Sequence, residues 1–522
     1  MSAMTSSILI CAFNEVLKSR AHSAAIRLIF AFIGSSCFFE NTKNIAIVIL
    51  LIIFKPNINT MTLIKSISGI RGTIGGPVGE GLTPLDTVKF VSAYGAWVKT
   101  ASGKSKVKVV LGRDARISGP MIKRIVISTL QGMGVDVIDL DLSTTPTVEM
   151  AVVDLKADGG IILTASHNPK QWNALKLLNN KGEFISGEDG LKILDLAEKE
   201  DFLYADVDHL GRITAHEGGY IHEHIQHILA LPYVDVAAIK KARLKVVVDA
   251  VNSTGGIAVP YLLKALGVAE IVELYCEPNG QFPHNPEPLP EHLTEISALI
   301  KTQKAHVGVV VDPDVDRLAM VCEDGSMFGE EYTLVAVADY VLSQKKGNTV
   351  SNLSSSRALR DVTQKHGGNY AATAVGEVNV VTTMKETNAV IGGEGNGGVI
   401  LPELHYGRDA LVGIALFLSH LAKSGMSCSA LKASYPYYYI SKNKIELTPE
   451  IDVDAILDKM AKKYAHEDIS TIDGVKIDFP TEWVHLRKSN TEAIIRIYSE
   501  SASKESAEAL ANKIIDDIKS MI

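Results

Sequence analysis

The sequence predicts an α/β protein of four domains, in which three related α/β domains precede a smaller C-terminal α+β domain. From Lys106 onward, short runs of β-branched residues alternate with helical stretches, the pattern of α/β units on largely parallel sheets. Three runs repeat one arrangement, a buried strand that ends in an aspartate-bearing loop: VKVVLGRD (107–114), LKVVVDAVNSTG (244–255) and HVGVVVDPDVDR (306–317). With 522 residues, of which 46% are hydrophobic, the chain is also too long for a single core.

Changes along the chain set the expected domain boundaries. Polar or Pro/Gly-rich stretches such as HEGGY (216–220) and EPNGQFPHNPEPLPE (277–291) mark turns within or between the α/β domains. The tail differs from the repeat, because it predicts strands around a polar loop and ends in an amphipathic helix. The four expected domains span residues 61–214, 215–321, 322–438 and 439–522.

Residues 1–60 do not match the rest of the chain. They contain two apolar runs, around 24–33 and at Ile45–Phe54, and neither reaches the roughly 20 residues that span a bilayer. A signal peptide fits badly, because the runs come late and no small-residue cleavage site follows the second. Met61 then opens MTLIKSISGIRGT, which is typical of the start of a soluble protein. We expect residues 1–60 to be an upstream extension outside the fold; a membrane-tethering segment and an ordinary appendage are the alternatives.

Charge and cysteine content narrow the function classes. The chain has 52 basic and 60 acidic residues, a net charge of −8, so it lacks the basic footprint of a nucleic-acid-binding protein. Its five cysteines form no CxxC pair, which indicates a reducing, cytoplasmic setting and argues against structural zinc. We expect no membrane partner, and a monomer and a homodimer are both compatible with the sequence.

The stretch GGIILTASHNP (159–169) predicts a strand that delivers Ser166 into a loop. In open α/β sheets ligands collect beyond the carboxyl ends of strands, so chemistry is expected there. A serine hydrolase would show G-x-S-x-G, whereas Ser166 is flanked by Ala165 and His167. Neighbouring residues of an extended loop point apart, so His167 is poorly placed as a base for Ser166. By itself the stretch favours a structural turn.

The motif DPDVDR places carboxylates at Asp312, Asp314 and Asp316 in a loop after a buried strand. Three such groups repel one another unless a cation neutralises them, and oxygen ligands suit Mg²⁺ or Ca²⁺. An EF-hand fails, because Arg317 stands where that loop needs glycine and RLAMV continues as a strand. A solvated acidic turn is the alternative. Because Mg²⁺ keeps room for phosphate oxygen, a metal here implies a phosphoryl group nearby.

Two further loops carry polar groups suited to a sugar phosphate. In RKSNTEAIIR (487–496), Arg487 offers a bidentate fork for phosphate, although a plain polar loop is an equal alternative. In IGGEGNGGVI (391–400), the glycines permit a tight loop that presents Glu394 and Asn396 at its tip. No GK[ST] follows, so this is not a Walker A loop, and an exposed Glu and Asn suit sugar hydroxyls.

Together these four loops, in this order, resemble those of the α-D-phosphohexomutase superfamily, whose members include phosphoglucomutases, phosphomannomutases and phosphoglucosamine mutases. The resemblance covers essentially all of 61–522, with one loop per domain. It implies mixed sheets and four domains around a central cleft. It also implies that Ser166 is a phosphoserine, and that one Mg²⁺ per chain is held by Ser166, Asp312, Asp314 and Asp316.

The resemblance further assigns roles to residues outside these motifs. SGIRG (68–72) and GRDARISG (112–119) are similar to family stretches, which implies that Arg71 and Arg116 lie near the catalytic phosphate. Lys176 matches a lysine close to the reacting hydroxyls, so the implied catalytic group is Ser166, Lys176, Arg71, Arg116 and the loop-shaping His167. The implied substrate-binding residues are Arg317, Glu394, Asn396, Arg487, Ser489, Asn490, Thr491 and Arg496.

Two departures from the family pattern bear on function. Many members have serine and histidine in the sugar loop where this chain has Asn396 and Gly398. The histidine associated with proton transfer is therefore missing, which favours Lys176 or Arg71 for that role. The usual Tyr-Asn-Gly near the serine becomes WNA (172–174), a conservative change.

The expected function is a reversible mutase that interconverts hexose 6-phosphate and hexose 1-phosphate, with a hexose 1,6-bisphosphate as intermediate and activator. Glucosamine phosphate is the first choice of substrate; phosphomannomutase or phosphoglucomutase activity is the alternative. A serine-based phosphatase or hydrolase and a non-catalytic sugar-phosphate sensor are the competing classes. The only expected partner is a small phosphosugar.

Overall fold

The computed structural model describes residues 61–66, 69–447, 451–488 and 494–521. The expectations for residues 1–60 and for Ser489, Asn490 and Thr491 lie outside the described residues. Among those described, no helix is both long and apolar enough to cross a bilayer.

The first α/β unit is built on a seven-stranded sheet of order β1-β2-β6-β5-β3-β4-β7. Its strands are β1 (Ile64–Ser66), β2 (Gly69–Thr73), β3 (Lys108–Arg113), β4 (Asp136–Leu142), β5 (Gly159–Leu163), β6 (Trp172–Leu178) and β7 (Ile213–Ala215). Its helices are α1 (Pro84–Ser102), α2 (Gly119–Gly132), α3 (Thr145–Asp154) and α4 (Gly187–Lys199), with a 3₁₀ turn at Val207–His209. Helix α1 shows why the sequence starts a helix there: Thr83 and Asp86 form a capping box and Pro84 occupies the first turn.

The second and third units are each built on a four-stranded sheet. The second contains α5 (Ile221–Leu229), α6 (Val236–Ala242), β8 (Lys245–Asp249), α7 (Gly255–Leu266), β9 (Glu270–Leu274), α8 (Thr294–Gln303), β10 (Val307–Val311) and β11 (Leu318–Cys322), with 3₁₀ turns at Glu217–Tyr220 and Pro290–His292. The third contains α9 (Glu330–Gln344), β12 (Asn348–Asn352), α10 (Ala358–Lys365), β13 (Tyr370–Thr373), α11 (Glu377–Thr387), β14 (Ala389–Glu394), β15 (Gly398–Ile400), α12 (Ala410–Ser424) and α13 (Cys428–Ala433).

The three sheets share one topology. Their strand orders contain β6-β5-β3-β4, β11-β10-β8-β9 and β15-β14-β12-β13, so each unit arranges its strands in the order fourth, third, first, second. The first three strands are parallel, and the fourth returns antiparallel to the third. The predicted repeat of three α/β domains with mixed sheets is therefore confirmed. The three predicted functional loops are the same hairpin in three successive units.

The fourth domain has a different architecture, as predicted. Its five strands are antiparallel, in the order β16-β20-β19-β18-β17, and two helices pack on them. The elements are β16 (Tyr439–Glu446), α14 (Val453–Lys463), β17 (Asp468–Ser470), β18 (Val475–Asp478), β19 (Trp483–Lys488), β20 (Ile494–Ser501) and α15 (Lys504–Lys519).

The largest hydrophobic cluster spans the second and third units. Helix α12 lies at its centre, and nearly every residue from Ala410 to Leu418 is buried there. A helix that is buried on all sides has no solvent-facing side for polar residues. The sequence of α12 is therefore almost continuously apolar. The hairpins of these two units are therefore mounted on one shared core.

Candidate active site

Ser166 lies in the loop between β5 and β6, with only 6% of its surface exposed. Its φ of 48° places it in the left-handed region, where residues other than glycine are uncommon. Its backbone N–H donates to Oγ1 of Thr164 at 2.9 Å. Its Oγ donates to Oδ2 of Asp312, in the second unit, at 2.7 Å. The serine loop of one domain therefore meets the aspartate loop of the next.

His167 lies closer to Ser166 than neighbours in an extended loop would. Its Nδ1 is 3.4 Å from the Oγ of Ser166, at the outer limit of a hydrogen bond. The expectation that the two side chains point apart is wrong. It assumed an extended backbone, whereas the positive φ of Ser166 turns the chain at this residue. Burial lowers the pKa of His167 well below its ordinary value, and nearby Arg317 lowers it further, so the imidazole is neutral.

Arg116 holds the serine loop from within. It is fully buried, and its Nε donates to Oδ2 of Asp114 at 2.9 Å. Its other four N–H groups donate to backbone carbonyls of the loop, those of Ser166, Asn168, Pro169 and Trp172. A guanidinium has five N–H groups, so every donor of Arg116 is used. Its position therefore shapes the serine loop and leaves no N–H group for a phosphate.

Asp312, Asp314 and Asp316 occupy the loop between β10 and β11, and all three are fully buried. One carboxylate oxygen from each lies within 4.8 Å of the others. Within the part of the chain that the structure describes, Oδ1 of Asp314 and Oδ1 of Asp316 are buried without a hydrogen-bond partner. Buried oxygens that lack a donor are the ligands that a hard divalent cation uses, so these residues fit a Mg²⁺ ion.

The backbone of the aspartate loop is fixed from two domains. The carbonyl of Pro313 accepts a hydrogen bond from Oγ1 of Thr254 at 2.9 Å. The first residue of α3, Thr145, donates its N–H to the carbonyl of Asp314 at 2.9 Å and its hydroxyl to Oδ2 of Asp314 at 2.5 Å. Val315 takes a φ of 64°, which is costly for a β-branched residue and persists only where the surroundings enforce it.

Lys176, on β6, offsets part of the negative charge of the triad. Its Nζ donates to Oδ2 of Asp314 at 2.7 Å and to Oδ2 of Asp316 at 3.3 Å. Burial lowers the pKa of Lys176, but the two carboxylates outweigh burial and raise the pKa above its ordinary value. Burial raises the pKa of Asp312 well above its usual range, and Asp316 and Asp314 raise it further. Burial also raises the pKa of Asp316, but Arg408 and Lys176 outweigh it and lower that pKa.

Arg71, on β2, and Arg317, after the triad, form a group of positive charge beside the serine. Nη1 of Arg71 donates to Oδ1 of Asn168 at 3.4 Å, and Nη1 of Arg317 to Oε1 of Glu287 at 3.5 Å. Both contacts are long for hydrogen bonds. Burial lowers the pKa of Arg71, and the neighbouring Arg317 lowers it further. Two neighbouring guanidinium groups whose partners among residues 61–66, 69–447, 451–488 and 494–521 are all weak are typical of an anion site.

Glu394, at the end of β14, is not on an exposed tip. It is 3% exposed, and both of its carboxylate oxygens are engaged. Oε1 accepts hydrogen bonds from Nδ2 of Asn352 at 2.8 Å and from the N–H of Gly376 at 2.9 Å, while Oε2 accepts one from Nη1 of Arg408 at 2.9 Å. The expectation of an exposed Glu394 is wrong, because the loop packs against its neighbours instead of projecting into solvent.

Gly397 shows how closely this loop packs. Its φ is 85°, and a Cβ there would lie 2.1 Å from the carbonyl oxygen of Leu318, the first residue of β11. The N–H of Leu318 in turn donates to the carbonyl of Gly397 at 3.1 Å. The glycines therefore let the sugar loop contact the aspartate loop. Asn396 is half-buried, and its Oδ1 accepts a hydrogen bond from the N–H of Gly398 at 3.2 Å.

Arg408 joins the aspartate loop to the sugar loop and is not indicated by any of the sequence motifs. It donates from Nη2 to Oδ2 of Asp316 at 2.7 Å, from Nη1 to Glu394, and from Nε to Oε2 of Glu377 at 2.8 Å. Burial lowers its pKa, but the three carboxylates raise it well above its ordinary value. The stretch YGRDAL (406–411) does carry a signal for Arg408. This arginine directly precedes the N-cap Asp409 of a buried apolar helix. A guanidinium buried at such a position needs acidic partners.

The fourth domain contributes two arginines on adjacent strands. Arg487 on β19 and Arg496 on β20 are cross-strand partners, so they share one face of the sheet. Nε of Arg487 lies 2.9 Å from Oδ2 of Asp473, which also accepts a hydrogen bond from the N–H of Val375 in the third unit at 2.9 Å. The predicted phosphate residues Ser489, Asn490 and Thr491 lie outside the described residues, between these two strands in the sequence.

The fold and its site define a phosphohexomutase, an isomerase that moves a phosphoryl group within a sugar phosphate. The models of phosphoglucomutase/phosphomannomutase domains match the chain in succession: alpha/beta/alpha domain I at 63–204, domain II at 222–325, domain III at 329–438 and the C-terminal domain at 444–517. The chain belongs to the phosphoglucomutase/phosphomannomutase family.

Individual relatives match this chain over nearly their whole length. The chain is 39% identical over 444 residues to a phosphoglucomutase/phosphomannomutase of Thermococcus kodakarensis, which covers 84% of this chain and 94% of the relative. It is 33% identical over 460 residues to a phosphoglucosamine/phosphogalactosamine mutase of Sulfurisphaera tokodaii, covering 87% and 98%. A crystal structure of a family protein from Burkholderia thailandensis aligns with a TM-score of 0.75 at 27% identity, covering 88% of this chain and 97% of that one.

Proposed function

We propose that this phosphohexomutase interconverts glucosamine 6-phosphate and glucosamine 1-phosphate, and that Ser166 is its phosphoryl carrier. The observation that carries the proposal is the hydrogen bond of 2.7 Å between Oγ of Ser166 and Oδ2 of Asp312. It brings a hydroxyl nucleophile from one domain onto a triad of buried carboxylates from another. A phosphoryl carrier needs a cation and anion-binding groups beside its hydroxyl.

The residues present would supply both. Mg²⁺ would be held by Asp312, Asp314, Asp316 and an oxygen of the seryl phosphate, and would withdraw charge from the transferred phosphoryl group. The two orphaned Oδ1 atoms of Asp314 and Asp316 support this assignment. Arg71 and Arg317 would donate to the phosphoryl oxygens, because the hydrogen bonds that their side chains make to other described residues are long, 3.4 and 3.5 Å. Arg116 would act indirectly, through the shape of the serine loop.

The transfer conserves atoms and charge in each direction. The bond between phosphorus and Oγ of Ser166 breaks, a bond to the free hydroxyl of the sugar forms, that hydroxyl loses its proton, and Oγ regains one. Lys176 is cationic and His167 is neutral, so we assign Lys176 the part of acid or charge stabiliser and His167 the part of base. A hexose 1,6-bisphosphate then turns within the site and returns its other phosphate to Ser166.

The phosphate that does not react would be held by the fourth domain, through Arg487, Arg496 and the predicted phosphate residues Ser489, Asn490 and Thr491. Arg487 and Arg496 side by side on one face would repel each other, and an anion between them would remove that repulsion. Closure of this domain over the sugar would exclude water, which otherwise hydrolyses a phosphoserine.

Two observations bear on the sugar. The relative from Sulfurisphaera tokodaii is named for amino sugars, which supports glucosamine phosphate. The relative from Thermococcus kodakarensis is named for glucose and mannose phosphates at a higher identity, 39%, which supports phosphoglucomutase/phosphomannomutase activity as the second candidate. Asn396 can hydrogen-bond an amine or a hydroxyl at carbon 2, so it accepts either class.

Intact-mass measurement tests the carrier. Protein purified without phosphatase treatment, or charged with a hexose 1,6-bisphosphate, should carry one phosphate that maps to Ser166. Ser166→Ala should carry none and lose about 10³-fold or more in kcat. Lys170→Gln is the matched control in the same loop, since Lys170 is exposed and the variant keeps the nucleophile, so it should still be phosphorylated. Wild-type protein that cannot be charged, or a phosphate on another residue, would overturn the carrier assignment.

Kinetics on glucosamine, glucose and mannose phosphates test the sugar. We expect the highest kcat/KM for glucosamine phosphate. A mannose or glucose phosphate preferred by tenfold would establish the second candidate instead. Steady release of inorganic phosphate without isomerisation would identify a phosphatase.

A further inference from the structure

A second cluster of possible metal ligands lies away from the aspartate triad. It consists of His224 on α5, His405 before α12, and Asp409, the N-cap of α12. We propose that these three residues bind one divalent transition-metal ion, with Zn²⁺ as the first choice, and that the ion ties the first three domains together. The proposal does not depend on the substrate or on the phosphoryl carrier.

The geometry of the three donor atoms fits such an ion. Nε2 of His224 lies 2.9 Å from Oδ2 of Asp409, and Nε2 of His405 lies 3.4 Å from the same oxygen. All three donor atoms lie within 4.8 Å of one another. Zinc binds nitrogen and oxygen at about 2.0–2.2 Å, which places tetrahedral ligands roughly 3.3 Å apart. The three donors can therefore close on one ion with small side-chain movements.

The groups behind the ligands have the arrangement that metal sites use. Nδ1 of His224 lies 2.9 Å from Oγ1 of Thr147, so the second ring nitrogen of this ligand is hydrogen-bonded. Nδ1 of His405 lies 3.3 Å from Oε2 of Glu149. A histidine that binds a metal through one nitrogen usually donates its other N–H to a carboxylate, a hydroxyl or a carbonyl, which fixes the ring.

The other oxygen of Asp409 is also occupied. Its Oδ1 accepts hydrogen bonds from the N–H groups of Leu411 and Val412, at the start of α12. This leaves Oδ2 as the oxygen that faces both imidazoles. The carboxylate is thereby held in one orientation, as a monodentate ligand requires.

Glu149 is the independent observation that points to a cation. Its side chain is 1% exposed, and neither of its oxygens has a hydrogen-bond partner within the described residues. Glu149 and Asp409 place two carboxyl groups in the protein interior. An ionised carboxylate there is costly without compensation, and a divalent ion bound to His405 and Asp409 would offset that cost.

The donor set selects the class of ion. Two imidazole nitrogens and one carboxylate oxygen suit Zn²⁺ and similar borderline ions, whereas the all-oxygen triad of Asp312, Asp314 and Asp316 suits Mg²⁺. The fourth position would be taken by water, which can approach because the side chain of His405 is 11% exposed.

The location gives the ion a structural role. Thr147 and Glu149 belong to α3 of the first unit, His224 to α5 of the second, and His405 and Asp409 to the third. Helix α3 also holds the aspartate loop through Thr145, whose hydroxyl donates to Asp314. An ion at this junction would therefore fix the helix that positions the catalytic carboxylates.

Zinc binding to the wild-type chain is the direct test. The purification tag is removed, bound metal is stripped with a chelator, and Zn²⁺ is titrated in excess Mg²⁺ against a chromophoric competitor. We expect one tightly bound Zn²⁺ per chain, and X-ray absorption at the zinc edge should show two imidazole ligands at about 2.0–2.1 Å. Substitution with Co²⁺ should give a visible d–d band of a histidine-ligated ion.

Three variants at the proposed site should lower its affinity for Zn²⁺ to different extents. His405→Gln and His224→Gln should each weaken Zn²⁺ binding by more than 100-fold and abolish the cobalt band. Glu149→Gln, which acts through His405, should keep one site but weaken it by about 10- to 100-fold. His227→Gln is the matched control, because His227 is on the same helix but its side chain is 50% exposed, and it should bind Zn²⁺ like the wild type.

Several results would overturn the proposal. One is a wild-type chain whose only Zn²⁺ site is abolished by Asp312→Asn and untouched by His405→Gln. Another is a zinc-edge X-ray absorption spectrum of the wild-type chain that shows oxygen ligands alone. This measurement does not depend on whether any variant folds. In that case a proton takes the place of the ion: burial lowers the pKa of His405, but Asp409 and Glu149 raise it to about 10, so the imidazolium would bridge the two carboxylates.

Discussion

Two buried arginines hold the catalytic loops in opposite ways. Arg116 directs four of its five N–H groups to backbone carbonyls of one loop, all within its own domain. Arg408 donates to the carboxylates of Asp316, Glu394 and Glu377, and so connects the hairpin loops of two domains. Arg116 therefore fixes the conformation of the serine loop, and Arg408 fixes the position of the aspartate loop relative to the sugar loop.

The difference follows from what each hairpin must present. The serine loop has a residue with positive φ and turns sharply, so its carbonyls point inward and need donors at the centre of the turn. The aspartate and sugar loops instead concentrate carboxylates, so they need a cation between them. Because all three loops occupy the same position in the repeated topology, the arginines show how one scaffold is adapted to separate tasks.

Removal of Arg116 should have the largest effect. Arg116→Met leaves four carbonyls without their donor and the Asp114 carboxylate without its cationic partner, and breaking a buried ion pair costs about 3–5 kcal/mol. We expect a loss of that size in the free energy of unfolding and a drop of about 10³-fold or more in kcat/KM, since Ser166 loses its fixed position. Denaturant unfolding and steady-state kinetics measure the two quantities.

The control for this prediction is Arg124→Met, at an exposed arginine on α2, which should stay within about 0.5 kcal/mol of the wild type. Arg116→Lys should recover only part of the loss, because an ammonium has three donors in place of five. Near-normal stability and activity in Arg116→Met would show that the loop folds without its central cation.

Removal of Arg408 should have a smaller effect that is spread over two loops. Arg408→Met frees Asp316 and Glu394 to shift, and a misplacement of about 1 Å typically costs 10²-fold in rate. We expect kcat/KM to fall about 10²-fold while Ser166 can still be charged by a bisphosphate. Arg360→Met, at an arginine whose side chain is 36% exposed, is the control. Failure of Arg408→Met to accept a phosphate would mean that Arg408 acts on the serine loop as well.

A neutral histidine, His485, connects two domains in the way that Arg408 connects two loops. His485 on β19 joins the fourth domain to the third: Oγ of Ser354 lies 2.9 Å from Nδ1, and Nε2 lies 2.7 Å from the carbonyl of Asp473, which must accept from an N–H. Burial lowers the pKa of His485 to about 4, although the carbonyl of Asp473 works against burial.

The pH dependence of stability checks this junction. An unfolded histidine titrates near 6.5, so below that pH the unfolded state binds a proton that the folded state refuses. His485 should therefore remove stability as the pH falls from about 6.5 to about 4, by about 3 kcal/mol in total, and have no effect above pH 7. Denaturant midpoints of wild type and His485→Gln should converge as the pH falls. A constant difference between pH 7 and 4.5 would contradict the assigned pKa.

The sequence predicts local chemistry well and long-range partners poorly. The strand-to-loop repeat and the spacing of Asp312, Asp314 and Asp316 depend on neighbouring residues, and both the repeated topology and the clustered carboxylates are found in the structure. Arg408 and Thr145 are not predicted, since their roles depend on contacts with residues far along the chain. The exposure of Glu394 is mispredicted for the same reason, because a glycine-rich loop is open or packed according to what lies opposite.

The smallest expected effect concerns Asn396, the polar residue of the sugar loop that is only half-buried. Oδ1 accepts the N–H of Gly398 at 3.2 Å and keeps a second lone pair, so it can accept from an amine or a hydroxyl at carbon 2 of the sugar, while Nδ2 can donate to a hydroxyl. A single neutral hydrogen bond contributes about 0.5–1.5 kcal/mol, so Asn396→Ala should change the ratio of kcat/KM for glucosamine and glucose phosphates by about 2- to 12-fold. Asn369→Ala, at an exposed asparagine of the same domain, should leave the ratio unchanged. A ratio unaffected by Asn396→Ala would place sugar selection in the Arg408 network, because the two loops it joins would then discriminate by position alone.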